Sequence, residues 1–342
     1  MSTDSDSQVK ILRSREELEP LLSAWADVTI HPQAHPEFFF RLCDADPVIL
    51  KPYVPVELNP DGSIRGMIAS RLEYSELIRR GRYLPIPRPK VRIVVAPAEG
   101  ITGTDPAASA PKLLQALLED MDSGNFDALE LPFLPLDDPI RGSLIDHSDD
   151  RYAKAKPITV TRWYLEVAET FDAQLKQLGK STRGTLRNNL NRFRREFEGR
   201  FEIRHFDSTS DLEELLTQSE SIAAKSYHRR LGCGFSLSDR TRSNYEAEYA
   251  MGATWSKVLM IDDEPAAFLH ASRWNNRLFG TYMAFRQGIT NLPLGTILIF
   301  EALRELCEEG SITNWDFGPG EADYKSRICS RRVEEDQRLI FA

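Results

Sequence analysis

A chain of 342 residues exceeds one ordinary hydrophobic core and suits two domains of about 150 residues each. Its 41% hydrophobic and 28% charged residues are those of a globular protein, and the net charge of −9 excludes a surface that coats DNA or RNA throughout. No apolar run reaches the roughly 20 residues that span a bilayer, and the acidic start Met1–Ser7 has neither the cationic end nor the apolar segment of a secretory signal, so a cytoplasmic protein is expected.

The first half opens with a strand at Val9–Leu12 and a helix over Arg15–Val28, where Ser14 and Glu17 have the spacing of a capping box. His31 and His35 are four apart, but Pro32 and Pro36 follow them and disfavour the helix that a shared metal would need. Pro47–Glu57 and Ser63–Arg71 read as strands around the turn Asn59-Pro60-Asp61-Gly62. Lys90–Ala96 reads as a buried strand. A loop from Pro97 to Ala110 leads to a helix over Pro111–Met121, with Leu113, Leu114, Leu117 and Leu118 as its stripe, and Ala128–Leu131 is a further strand. Pro135–Lys156, rich in Asp, Ser and Pro, is taken as the boundary between domains at 1–157 and 158–342.

The second half begins with a strand at Arg162–Val167. Lys176–Arg204 holds nine basic and three acidic residues, a local +6 inside an acidic chain, with Leu186, Leu190, Phe193 and Phe197 recurring at helical spacing. Arg183 and Arg187 fall off that apolar stripe, where guanidinium groups suit a phosphate or carboxylate on an acceptor. A solvated basic helix fits equally well. Asp211–Tyr227 is a helix with Leu212, Leu215, Leu216, Ser219, Ile222 and Ala223 on one face, and Thr254–Ile261 and Pro265–Trp274 are strands around Asp262-Asp263-Glu264. His205, His228 and His270 stand alone. Cys43, Cys233, Cys307 and Cys329 form no CxxC pair, so reduced thiols and no bound metal are expected.

The last third is the most informative. A strand at Leu278–Phe285 feeds a loop ending at Leu294-Gly295 and a helix over Thr296–Glu309. A helix start offers free amides and a positive dipole end, so Leu294, Gly295 and Thr296 are candidate contacts for a pyrophosphate. A short strand, Asn314–Phe317, then ends in Gly318-Pro319-Gly320, with Tyr324, Lys325 and Arg327 beyond. Alternation turns Asp316 away from Trp315 and Phe317. Tyr324 can supply a proton where acyl transfer releases a thiolate, and Lys325 offers charge. Singly, Tyr324 also reads as a core-edge aromatic and Lys325 as a solvated charge; as a cluster they read as a site. The pattern of strand, loop, helix and short strand occurs at about residues 91–131 and again at 278–317, consistent with two similar mixed α/β domains.

These residues carry a resemblance. Lys180-Ser181-Thr182-Arg183 with Arg187-Asn188, the strand-loop-helix from Leu278 to Cys307, and Asp316-Phe317-Gly318-Pro319-Gly320 with Tyr324-Lys325 resemble the GNAT acyltransferase superfamily. The branch is that of the CelD-type acetyltransferases of cellulose and exopolysaccharide biosynthesis, related to the Fem aminoacyltransferases. The resemblance covers Trp163–Ala342, and the first half fits more loosely as a degenerate copy. It implies tandem GNAT-like domains, each a mostly antiparallel central sheet flanked by helices. It implies acetyl-CoA or another acyl-CoA as co-substrate, held against Leu278–Phe285 with its pyrophosphate at the next helix, and an amine or hydroxyl acceptor on a sugar or related precursor. Tyr324 would act as general acid, Asp316 as base or orienting group, Leu294, Gly295 and Thr296 at the phosphates, and Arg183, Arg187 and Lys325 at the substrate. The usual Gln/Arg-x-x-Gly-x-Gly/Ala loop is replaced by Asn291-Leu292-Pro293-Leu294-Gly295-Thr296. Two alternatives stay open: a Fem-like transferase using aminoacyl-tRNA, and a non-catalytic GNAT-like scaffold.

Overall fold

The computed structural model describes residues 9–76, 90–138, 141–142, 152–154, 158–226, 229 and 234–341. The acidic start, Cys233, His228 and most of the Pro135–Lys156 stretch lie outside the described residues. The chain divides into two compact units, residues 1–160 with 334–342, and residues 161–333.

In the first unit β1 (Lys10–Leu12) leads to α1 (Arg15–Leu18) and α2 (Leu22–Val28). The Ser14 hydroxyl accepts from the Glu17 amide while the Glu17 carboxylate accepts from the Ser14 amide, closing the expected capping box. The single helix expected over Arg15–Val28 is interrupted by a 3-10 turn at Glu19–Leu21, where Pro20 can donate no helical bond. His31 and His35 accept at Nδ1 from the Gln33 and Glu37 amides, so each caps the turn that its following proline begins. The second of these turns opens α3 (Pro36–Ala45).

Each long strand expected next is two strands: β2 (Ile49–Pro52) and β3 (Val54–Leu58), then β4 (Ile64–Ile68) and β5 (Arg71–Glu76). The chain changes sheet at Tyr53 and at Ser70, and the Tyr53 amide donates to the Ser70 carbonyl to hold the two corners together. β2 and β5 join β6 (Lys90–Val95) in one sheet, while β1, β3 and β4 join β7 (Ile101–Thr102) in another. α4 (Pro106–Asp122) starts ahead of the expected Pro111, which sits inside the helix and forgoes a bond to the Ala107 carbonyl. Its leucine stripe is buried. β8 (Ala128–Pro135) runs parallel to β6, and β9 (Ala153–Lys154) follows.

The second unit comprises β10 (Ile158–Glu166), α5 (Phe171–Gln177), α6 (Lys180–Glu196), β11 (Phe201–Asp207), α7 (Leu212–Ala223), α8 (Asp239–Ala250), β12 (Thr254–Ile261), β13 (Glu264–Trp274), β14 (Arg277–Phe285), α9 (Leu294–Glu309), β15 (Asn314–Pro319) and α10 (Asp323–Ile328). The last strand, β16 (Arg331–Phe341), pairs with β8 and β9. In the second unit the strand order is β11-β12-β13-β14-β15-β10, antiparallel except for β14 beside β15. Asp262 and Asp263, at φ 53° and 61°, make the tight β12–β13 turn that the strand twist favours. α6 and α9 pack on one face of the sheet through Leu186, Leu190, Phe193, Leu298 and Leu303. α7 and α8 cover the other through Leu215, Leu216, Ile222 and Tyr245. Alternation along β13 sends Leu269 and Ala271 to the first face and Phe268, His270 and Ser272 to the second.

The architecture is mixed α/β: the second unit has one largely antiparallel sheet flanked by helices, and the strands of the first fall in two largely antiparallel sheets. Among the described residues no helix is long and apolar enough to cross a membrane. Gly103, at φ 144°, lies so close to the Arg65 carbonyl that a Cβ there would collide with main chain. Gly103→Ala is expected to destabilise the protein by at least about 2 kcal/mol, read from the denaturation midpoint.

Candidate active site

β14 and β15 pair over three positions only, Arg277 with Asn314, Leu278 with Trp315 and Phe279 with Asp316. Beyond them the strands part around a cleft of about 410 Å³, walled by Gly280–Met283 on one side and Phe317–Gly320 on the other, with Tyr324 and Lys325 also lining it. A bulge at Thr281, opposite the His270–Ala271 step of β13, turns β14 away from its neighbour. At the apex a Cβ on Gly280 would stand 3.1 Å from the Asp316 carbonyl oxygen and 3.4 Å from Trp315 Nε1, so a larger residue would crowd the fork. The Trp315 indole N–H is buried and has no hydrogen-bond partner among the described residues, which leaves a donor in the cleft wall.

Asp316 is 1% exposed, and its Oδ2 accepts from Arg162 Nη1 at 2.8 Å. Its Oδ1 accepts from the Gly318 amide at 2.7 Å. Lys325 is 8% exposed, and its ammonium donates to the carbonyls of Gly318, Pro319 and Gly320 at 3.1, 3.2 and 3.3 Å. Its three N–H donors are thereby spent on the turn that Gly318 and Gly320 make at φ 71° and 100°. Burial lowers the Lys325 pKa, opposed by nearby Cys329 and Asp316. Tyr324 packs edge-on to Phe317, ring centroids 6.3 Å apart, and burial pushes its phenol above the ordinary tyrosine range.

Tyr324 also lines a second cavity of about 210 Å³, bounded by Thr182, Asn189, Pro293, Thr296 and Arg327. α9 begins two residues earlier than the sequence suggests, so Leu294 and Gly295 are helical. The Leu294 amide already donates to the Leu292 carbonyl, and the first full helical bond runs from Ile297 to Pro293, which leaves the Gly295 and Thr296 amides ahead of it. A Cβ on Gly295 would meet Met283 Sδ at 3.3 Å, so this glycine lets α9 lie close against β14. Thr296 is half-buried at the smaller cavity. Arg183 and Arg187 lie on the outer side of α6, half-buried and exposed, with Arg187 3.6 Å from Asp172 in an exposed pair. Of the residues expected at a site, Tyr324 and Lys325 line the larger cleft and Thr296 and Tyr324 the smaller cavity, while Asp316, Leu294, Gly295, Arg183 and Arg187 line neither.

Sequence reasoning read Arg162 only as the start of a strand and His270 as isolated. His270 is fully buried and lines the larger cleft. Its Nε2 is 2.9 Å from Ser219 Oγ and its Nδ1 is 2.8 Å from Ser256 Oγ. Ser219 already donates to the Leu215 carbonyl, so it must accept from Nε2–H, and Ser256 must then donate to a bare Nδ1. Burial holds this imidazole neutral, its pKa pushed down to about 3. With both nitrogens occupied, His270 orients the wall rather than exchanging protons. The strand spacing of Ser256 and His270 was the available signal, invisible without the β12–β13 register.

Residues 180–326 match the Acetyltransf_6 family model, an acetyltransferase (GNAT) domain, and they lie wholly within the second unit. No curated protein matches the chain by sequence. Similar solved structures include L-PGS from Bacillus licheniformis, at 14% identity over 96% of this chain and 91% of that one, with a TM-score of 0.54. FemX is similar at 12% identity over 90% and 96%, TM-score 0.53. A tandem GNAT protein from the clavulanic acid biosynthesis pathway matches at 11% identity over 97% and 98%, TM-score 0.54. At such identities the likeness is one of fold, and the fold is that of GNAT proteins, tandem ones included. Asp316→Ala removes one member of a buried ion pair and the acceptor of the Gly318 amide; a loss of about 3–5 kcal/mol in unfolding free energy is expected by denaturant titration.

Proposed function

We propose that this protein is a GNAT-type acyltransferase that moves an acyl group, acetyl in the simplest case, from acyl-CoA to an amine or hydroxyl acceptor. The parting of β14 from β15 inside the matched GNAT domain carries this reading. A thioester with an amide-bearing tail is extended, and the freed edge of β14 at Gly280–Met283 offers it main-chain partners as a third strand would. The Trp315 N–H adds a donor, and the Gly295 and Thr296 amides at the start of α9 suit the phosphates.

A thioester is already activated, so holding it against the nucleophile supplies most of the rate. Tyr324 donates a hydrogen bond to the departing sulfur. Its raised pKa means that it keeps its proton while doing so, and the thiolate is protonated from solvent. Asp316, through Arg162 and the Gly318 amide, and Lys325, through three carbonyls, fix the wall on which Tyr324 stands. The acceptor proposed is a saccharide or related exopolysaccharide precursor in the cytoplasm, where acyl-CoA is made. An anionic group on it would meet Arg183 and Arg187. A second reading, aminoacyl-tRNA as donor, is favoured by the same basic helix and by the likeness to FemX.

Calorimetry separates these readings. Acetyl-CoA is expected to bind, and Gly280→Val is expected to abolish binding while the protein stays folded; competition by charged tRNA would favour the second reading, and binding of neither would favour a scaffold. In a thiol-release assay Tyr324→Phe should lower kcat by about 10²-fold with little change in Tm, and an unchanged kcat removes Tyr324 from the mechanism.

A further inference from the structure

The cleft between β14 and β15 has a closed end at the fork, and aromatic rings close it. β14 runs from Gly280 to Phe285, five strand steps or about 17 Å, before the loop that leads to α9. A donor lying along that edge with its phosphates at the start of α9 therefore carries its acyl group toward the fork. A Cβ on Gly280 would stand 3.1 Å from the Asp316 carbonyl oxygen, so no main-chain gap continues past this point.

Trp315 and Phe317, alternate residues of β15 on the sheet face that α6 and α9 cover, stack with ring centroids 4.6 Å apart and planes 20° from parallel. Trp255 of β12 meets Trp315 edge-on at 5.7 Å, and Tyr324 meets Phe317 edge-on at 6.3 Å. Trp315 is fully buried, Phe317 is 8% exposed, and both line the cleft. Rings that hold one another in this way sit in a close-packed interior, where added volume forces side chains off their rotamers and shifts main chain. The other side of the fork offers no apolar route. The buried His270 stands there with a hydroxyl on each nitrogen, and the Thr281 hydroxyl donates to the His270 carbonyl.

We propose that the stack of Trp315 and Phe317 is the stop that sets the length of the acyl group, and that the donor is a short-chain acyl-CoA, acetyl- or propionyl-CoA. The proposal rests on the acyl-transfer reading given above and narrows its donor. Gly280, without a side chain, leaves the acyl group its space at the apex, and the two rings deny it anything beyond. Each further methylene must then press against the rings, and a pocket that has no room for one discriminates by about 10- to 200-fold. Phe317, the ring of the pair that reaches the cleft surface, is the specificity-determining residue, and Trp315 holds it from behind.

The test uses the full chain and measures by calorimetry its affinities for CoA, acetyl-CoA, butyryl-CoA and hexanoyl-CoA. The unmodified protein should bind CoA and acetyl-CoA, butyryl-CoA more weakly, and hexanoyl-CoA at least about 10²-fold more weakly than acetyl-CoA. Phe317→Ala removes one ring of the stop and should bring hexanoyl-CoA to within about tenfold of acetyl-CoA. Gly280→Ala adds a methyl group at the apex and should act in the opposite sense, lowering the affinity for acetyl-CoA about tenfold relative to that for CoA. It leaves the ring stack untouched, which keeps the idea testable should Phe317→Ala misfold. An unmodified protein that binds neither CoA nor acetyl-CoA sinks the acyl-transfer reading itself. Where both bind, hexanoyl-CoA held as tightly as acetyl-CoA overturns the stop alone. So does an unchanged ranking of chain lengths in folded Phe317→Ala, or an equal loss of CoA and acetyl-CoA in Gly280→Ala.

Discussion

The cleft in the second unit depends on one fact of pairing: β14 and β15 hold together as far as Phe279 and Asp316 and no further. Strands that separate leave main-chain donors and acceptors without each other, and each one buried unsatisfied costs about 1–3 kcal/mol. On the β15 side the chain meets this locally. Asp316 takes the Gly318 amide, Lys325 reaches three successive carbonyls, and the Gly320 amide donates to the Thr161 carbonyl. The wall made by β15 is therefore self-contained and stiff. The edge at Gly280–Met283 faces the cleft, so the two walls are unlike.

The charges around the cleft follow the same logic. A buried ammonium is tolerable only with its donors filled, and a buried carboxylate only with a cation and further donors. Lys325 and Asp316 meet those conditions, and both are thereby tied to the scaffold. His270, with a hydroxyl on each nitrogen, is fixed in a single neutral tautomer. Three groups that a motif search would nominate for proton transfer are thus committed to holding the walls in place.

Much of this was legible in the sequence, and the exceptions have physical causes. Strands and helices with clean periodicity, such as Leu186, Leu190 and Phe193 on α6 or Leu113, Leu114 and Leu117 on α4, stand where their spacing puts them. The turn at Asp262-Asp263, the capping box at Ser14 and Glu17, and the strand-loop-helix after Leu278 were likewise readable. What failed was continuity. Apolar alternation runs straight through Tyr53 and Ser70, where the chain leaves one sheet for another, because a sheet corner changes partners without changing the pattern. α8 escaped notice because Tyr245, Ala247 and Glu248, its buried residues, make no apolar stripe. The site suffered for the same reason: Arg162 meets Asp316, and Ser219 and Ser256 meet His270, across long stretches of chain and through strand register, which no local pattern encodes.

The internal repeat shows how one local pattern reaches two outcomes. In each unit a strand passes through a loop and a long helix to a second strand parallel to the first: β6, α4 and β8 in one, β14, α9 and β15 in the other. In the first unit the loop is drawn into the sheet. β7 pairs with β4, and the Thr104 and Asp105 amides donate to the Ile64 and Arg65 carbonyls just ahead of α4. Asp105 stands at the helix start itself, with its carboxylate 3.7 Å from Arg65, so an acidic side chain already occupies the place where a helix dipole would welcome an anion. In the second unit the residue before the helix is Pro293, no side chain caps the helix, and the loop ahead of it forms no strand. Neither helix start has a side-chain cap hydrogen bond, so the two differ in the residue that precedes the helix, an acidic Asp105 in the first unit and Pro293 in the second.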